Sequence, residues 1–151
     1  MAAATAQQQF RGFLAKYDPE IAAIATRAVR KMRALIPEAI EIVYDNYNAL
    51  VIGFGPTERA SDAIVSLALY PRWVTLFFLD GRALSDPERL LKGTGVRVRH
   101  IVLKSADDLD RSGMRALVKQ AVAAADVAFG ARRRLVIKSV SQKQRPRRAA
   151  K

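Results

Sequence analysis

The chain contains no cysteine, which excludes a disulfide scaffold, thiolate metal sites and a thiol nucleophile. It has one histidine, His100. A metal site built on two histidines is therefore excluded, and a Ser-His-Asp scheme has a single candidate base. No serine sits in a Gly-x-Ser-x-Gly turn. Gly53-Phe54-Gly55 and Gly93-Thr94-Gly95 complete neither GxGxxG nor GxxxxGK[ST], so both read as turns and not as phosphate loops. No apolar run approaches the roughly 20 residues that cross a bilayer. The first ten residues lack the charged stretch and apolar core of a secretory signal, which leaves cytoplasmic as the expected location. RNA-recognition signatures, zinc-finger spacings and internal repeats are absent. No constellation supports catalysis, and the chain reads as a non-enzymatic module with no catalytic residue.

What is present suits one domain. A chain of 151 residues, half of them apolar, is long enough to bury a core without staples. The net charge is +12, and it is unevenly placed. Of the 26 basic residues nine follow Asp126, the last acid, so 17 remain beside all 14 acids and the body carries only +3. The division expected is a lead-in over residues 1–17, a domain over 18–131 and a basic tail over 132–151. A basic tail on a near-neutral body suits contact with phosphates, of nucleic acid or of another polyanion. Its candidate residues are Arg132, Arg133, Arg134, Lys138, Lys143, Arg145, Arg147 and Arg148. The competing reading is a solubilising tail, flexible from Lys138 onward.

Residues 1–9 read as a loose lead-in. Phe10, Phe13, Leu14 and Tyr17 then recur at helical spacing and predict a short docking helix. Asp18-Pro19-Glu20 is helix-start chemistry. Ile21, Ile24, Ala25, Ala28, Val29, Met32, Leu35 and Ile36 continue it as an amphipathic helix that Pro37 ends, with Arg27, Arg30, Lys31 and Arg33 on the polar side. Pro37-Glu38 predicts a second helical turn through about Ile42, and Val43 to Phe54 reads as extended with a turn near Asn46 and Asn48. Ala63–Tyr70 and Trp73–Leu79 read as an antiparallel hairpin around Pro71-Arg72. Asp86-Pro87-Glu88 repeats the helix-start pattern, with Gly93 as the stop. Val96–Leu103 reads as a strand with Val98, His100 and Val102 on one face. A last helix carries Met114, Leu117, Val118, Ala121, Val122 and Ala125 and ends at Gly130. Leu135-Val136-Ile137 is an apolar island that could dock as an edge strand. Helix, then three or four strands, then helix implies an α+β fold with a small antiparallel sheet against N- and C-terminal helices.

The run Ile64 to Leu79, followed by Asp86-Pro87, Leu90-Leu91-Lys92-Gly93, Gly95 and Val98 to Val102, resembles the YdhG-like domain family, a family of unknown function. The resemblance covers residues 18–126. The sequence departs from the family at Tyr44-Asp45-Asn46-Tyr47-Asn48, where many relatives have a Tyr-Gly-Met-Pro-like turn. The resemblance implies a frataxin-type fold. Because one member is described as an iron chaperone, it also implies iron as an alternative ligand.

Asp107, Asp108 and Asp110 are the one acidic cluster and the candidate iron ligands, since hard iron prefers carboxylates. The other reading makes them caps of the last helix. His100 reads as a packed strand residue. Tyr44, Tyr47, Tyr70, Trp73, Phe77 and Phe78 either line a pocket, stack on bases or fill the core. The adjacent Phe77 and Phe78 point to opposite faces. Arg72, Arg82, Arg97 and Arg99 form a basic patch only if the fold brings them together. Two functions follow from different classes: a module whose basic tail contacts nucleic acid or another polyanion, and an iron or small-ligand carrier using the domain itself.

Overall fold

The computed structural model describes residues 3–130 and 132–150. Near its start the Gln8 amide donates to Thr5 Oγ1 at 3.1 Å, and the Thr5 amide donates to Gln8 Oε1 at 2.8 Å. This reciprocal box satisfies two donors that a helix start leaves unpaired. It starts α1 (Ala6–Leu14) inside the stretch expected to be a loose lead-in. Phe10 and Leu14 of α1 are buried, which fulfils the docking role of the apolar spacing. Helix α2 (Pro19–Leu35) follows the predicted bounds with Pro19 at its first position, although the Asp18 side chain makes no cap hydrogen bond. Helix α3 (Ser112–Ala123) buries Met114, Leu117, Val118 and Ala121, and it stops short of Gly130.

The strands are β1 (Ile40–Asp45), β2 (Leu50–Gly55), β3 (Val65–Leu69), β4 (Val74–Phe78), β5 (Arg99–Leu103) and β6 (Leu135–Val140). They form one sheet in the order β5-β4-β3-β2-β1-β6. Four neighbouring pairs are antiparallel, and β6 lies parallel to β1. The architecture is α+β, with three helices and a six-stranded mixed sheet. The all-antiparallel sheet expected from sequence is corrected by β6.

Two helix expectations also fail. Ile40-Glu41-Ile42 pairs on both sides as strand and not as a helical turn, with the β-branched Ile40 and Ile42 buried on one face of the sheet and Glu41 buried on the other. At 86–91 the Asp86 carboxylate accepts from the amides of Leu90 and Leu91, both at 2.9 Å. That closes a side-chain-mediated turn in place of a helix. Arg89 within it sits at φ 54°, a left-handed backbone that no helix continues through.

Strand alternation divides the sheet. Val43, Leu50, Ile52, Phe54, Val65, Leu67, Leu69, Val74, Leu76, Phe78 and Leu103 share the core with the three helices. The opposite face carries Ile42, Tyr44, Val51, Gly53, Ser66, Ala68, Thr75, Phe77, His100 and Val102 by register. One end of it is covered by the chain from β2 to β3. A side chain at Gly55 would meet the Ala63 backbone at 2.9 Å, and one at Gly53 would meet Ile42 Cγ1 at 3.0 Å. Glycine is what lets this connection lie flat on the sheet.

Tyr17, between α1 and α2, ties the helices to the sheet. Its hydroxyl donates to Leu69 O at 2.8 Å and accepts from Leu50 N at 3.1 Å, both buried. Burial raises its pKa above the ordinary 10.0, more than the Leu50 hydrogen bond and the Arg147 charge lower it. A folded-state pKa above the unfolded one gives stability that is fully present below the unfolded pKa and lost as pH rises through the folded one. Tyr17→Phe leaves a buried amide and carbonyl unpaired and is expected to lower the unfolding free energy by about 1–3 kcal/mol. In urea titrations the midpoint should fall at unchanged slope, and the variant should lose the alkaline destabilisation that the Tyr17 hydroxyl confers.

Candidate nucleic-acid interface

The C-terminal segment is built into the fold. Leu135 and Ile137 are half-buried, packed against the core, and β6 continues past Lys138 to Val140, where a flexible segment was expected. Beyond β6 the Ser141 amide donates to Asp45 O at 2.8 Å, and the Arg145 amide donates to Tyr47 O at 2.9 Å.

Two buried carboxylates of β1 hold this segment. Glu41 is fully buried and accepts two hydrogen bonds from Arg33 of α2, each 2.8 Å, and one from Arg133 at 3.2 Å. Asp45 is 1% exposed and accepts from Arg147 Nη2 at 3.0 Å. The Arg147 side chain is itself only 4% exposed, lies 5.8 Å from the Tyr17 ring centroid and donates to Asn46 O. Lys16 Nζ adds a charge 3.6 Å from the other Asp45 oxygen. Arg134 pairs with Glu58 at 2.7 Å, and this hydrogen bond, with the Arg134 charge behind it, lowers the Glu58 pKa. Arg148 lies 3.5 Å from Asp18.

The eight candidate phosphate-binding residues therefore split. Arg133, Arg134, Arg147 and Arg148 are engaged with carboxylates of the body. Arg132, Lys138, Lys143 and Arg145 are exposed, with no ion pair among the described residues. The ion pairs of Arg147 and Glu41 gave no signal in composition, since a basic residue in a tail reads as solvated until its partner is placed.

The acids at 107–110 are not brought together as a ligand set. They lie in a one-turn 3-10 helix, Ala106–Asp110, whose start is capped by Ser105. Asp107 pairs with Arg27 at 2.8 Å and Asp110 with Lys31 at 2.7 Å, which fastens this turn to α2. Asp108 accepts from the Lys104 amide at 2.8 Å. No group of three His, Asp or Glu side chains placed to hold a metal occurs among the described residues. The cap reading is corrected too, since Arg111 occupies the N-cap of α3 and makes no side-chain bond there. The basic side of α2 is largely spent on Asp107, Asp110 and Glu41.

Of the four candidate patch arginines, Arg82, Arg97 and Arg99 lie close together, the Arg82 amide donating to Arg97 O at 3.0 Å and Gly81 packing on Arg99, and Arg72 stands apart. Arg97 pairs with Asp80 at 3.3 Å, Arg99 donates to the carbonyls of Gly95 and Val98, and Arg82 donates to Val96 O. Arg72 lies at the other end of the strands, in the β3–β4 turn. Lys92 bridges to His100 through the backbone, so β5 is flanked by a further short pairing. His100 lies on the face away from the helices, with its ring 5.9 Å from Phe77. Phe78 is core. Trp73 is 47% exposed beside Tyr70, with ring centroids 5.9 Å apart at a 40° tilt.

Comparison with protein-family models, with curated proteins and with solved structures returns no match for this chain. No helix of the described residues is long and apolar enough to cross a membrane.

Arg147→Ala leaves Asp45 buried beside a single exposed lysine. The expected cost is about 3–5 kcal/mol, because breaking a buried pair strands a charge. Replacing both partners, as in Asp45→Leu with Arg147→Met, is expected to recover most of that loss in chemical denaturation.

Proposed function

We propose that the protein is a non-enzymatic binding module that holds nucleic acid by its phosphates through the C-terminal segment. The observation that carries this reading is the division of that segment's charge. Four cations lock the segment to the body, and four others, Arg132, Lys138, Lys143 and Arg145, stay exposed along it. Cations on a fixed strand lose less freedom on binding than cations on a loose tail. Phosphate pairing of this kind gives affinity without reading sequence. A frataxin-like fold of the YdhG-like type belongs to the same proposal. It rests on the resemblance of residues 64–102 and is supported by helices gathered on one face of a largely antiparallel sheet. The iron-carrier alternative has no comparable observation in its favour, since Asp107 and Asp110 are already neutralised by Arg27 and Lys31.

Truncation after the domain is a poor test, because it removes β6 and takes Arg147 from Asp45 and Arg133 from Glu41. The full chain carrying Arg132→Gln, Lys138→Gln, Lys143→Gln and Arg145→Gln keeps the lock and removes the free charge. Duplex DNA titrated at several salt concentrations should show the slope of log K against log salt falling by about 0.9 for each phosphate no longer neutralised. An unchanged slope, or no duplex binding by the unaltered protein at low salt, would refute the reading.

A further inference from the structure

We propose that the open face of the sheet is a stacking platform for single-stranded nucleic acid, at the end where the 46–49 and 70–73 turns lie. The proposal rests on the phosphate-binding reading above and adds to it a surface that engages bases. The register places Tyr44 of β1, Val51 of β2, Tyr70 after β3, Trp73 before β4 and Val102 of β5 on the side away from the helices and toward one end. Trp73 and Val102 are 47% and 46% exposed, and Tyr44, Val51 and Tyr70 are half-buried. Tyr70 and Trp73 are tilted against each other and not stacked, so neither ring covers the other.

Between them lie Ala68 and Thr75, 2% and 3% exposed, small side chains that sit below the rings and leave the larger side chains as the contact surface. Neighbouring strands lie about 4.8 Å apart, so the span from β1 to β4 is about 14 Å. A four-stranded sheet of this kind accommodates two or three stacked bases. An exposed tryptophan and valine beside half-buried tyrosines, on a sheet end that no helix covers among the described residues, call for an occupant with flat, apolar surfaces.

The charge at this end selects which occupant. Arg72 sits in the β3–β4 turn, Lys104 directly after β5, and Lys143 and Arg145 beside the β1–β2 turn, where the Arg145 amide meets Tyr47 O. All four are exposed. The open-face positions at this end carry no Asp or Glu, and Asp45 points to the helix side, where Arg147 neutralises it. Flat bases on an anionic backbone fit both features, and stacking tolerates any base sequence. A duplex hides its base faces and would meet only the cations. A second copy would bring two chains of net charge +12 together, which like-charge repulsion opposes.

Trp73 is the only tryptophan, so its fluorescence reports this surface alone. The full chain is titrated with an oligothymidylate of about 16 nucleotides, and with a duplex of that length. The single strand should quench Trp73. Trp73→Ala, read by the anisotropy of labelled oligonucleotides because the variant lacks the fluorophore, should weaken oligothymidylate binding roughly tenfold or more while leaving duplex affinity and its salt slope unchanged. Val102→Glu, which sets a carboxylate on the platform, should weaken the single strand as well. Circular dichroism confirms that both variants fold. Oligothymidylate binding unaltered in both variants overturns the platform, and so does a dimer in sedimentation that Val102→Glu dissociates. If duplex binding still follows the four exposed cations, only the platform has failed. If the four-glutamine variant keeps the duplex slope while Trp73 remains quenched by the single strand, the platform stands and the phosphate reading fails.

Discussion

Glu41 and Asp45 sit on the helix-facing side of β1 with Val43 between them, where alternation would otherwise place two more apolar residues. Burying a carboxylate costs several kcal/mol unless it is paired and hydrogen-bonded. The body has one partner for each, Arg33 for Glu41 and the half-exposed Lys16 for Asp45. The remaining partners, Arg133 and Arg147, come from the C-terminal segment on either side of β6. The carboxylates therefore dictate where the chain must return. Their positions at the two ends of β1 impose a parallel run beside it, because Arg133 precedes the strand and Arg147 follows it. The backbone ladder then fills in between, from the Glu41 amide on Arg134 O to the Ser141 amide on Asp45 O.

That return also resolves an edge. Without β6, β1 would present a row of unpaired amides and carbonyls, a template for association. With it, the outer edge becomes a strand bearing Lys138 and flanked by arginines, which discourages further pairing. The same segment thus covers the β1 edge, pairs with two buried acids and positions the exposed cations. Its local sequence shows only the last of these.

Local chemistry made much of the fold legible. Pro19 after Asp18, the 3.6-residue apolar spacing through Met32, and the alternation on either side of Pro71-Arg72 each determine their element from within. The failures share a different cause. Ile40 to Ile42 carries an acid between two isoleucines after Pro37-Glu38, and only its pairing on both sides decides for strand. Asp86-Pro87-Glu88 has the composition of a helix start, but the Asp86 carboxylate captures Leu90 and Leu91 amides and closes a turn first. The acidic run at 107–110 resembles a cap or a ligand set because its partners, Arg27 and Lys31, are some 80 residues away in sequence. Salt bridges across such distances leave no periodic signature.

The asymmetry of the sheet connects fold to the proposed function. On the helix side the strands carry Leu, Ile, Val and Phe, which fill a three-helix cover. On the other side the middle strands carry Ser66, Ala68 and Thr75, all nearly buried although no helix packs there among the described residues. Their burial comes from larger neighbours, Tyr44, Val51, Phe77 and His100, rising around them. A face meant only for solvent needs no such rim, since charged residues would serve solubility at lower cost. The chain has lysine and arginine in excess, yet those side chains lie around this surface and not on it. Apolar side chains around a small-residue floor, cations at the margin and carboxylates withdrawn to the opposite side make a surface suited to a flat, anionic, unpaired ligand. The buried Asp45–Arg147 pair contributes to that surface indirectly. It removes a negative charge from this end of the sheet while fixing Lys143 and Arg145 beside it.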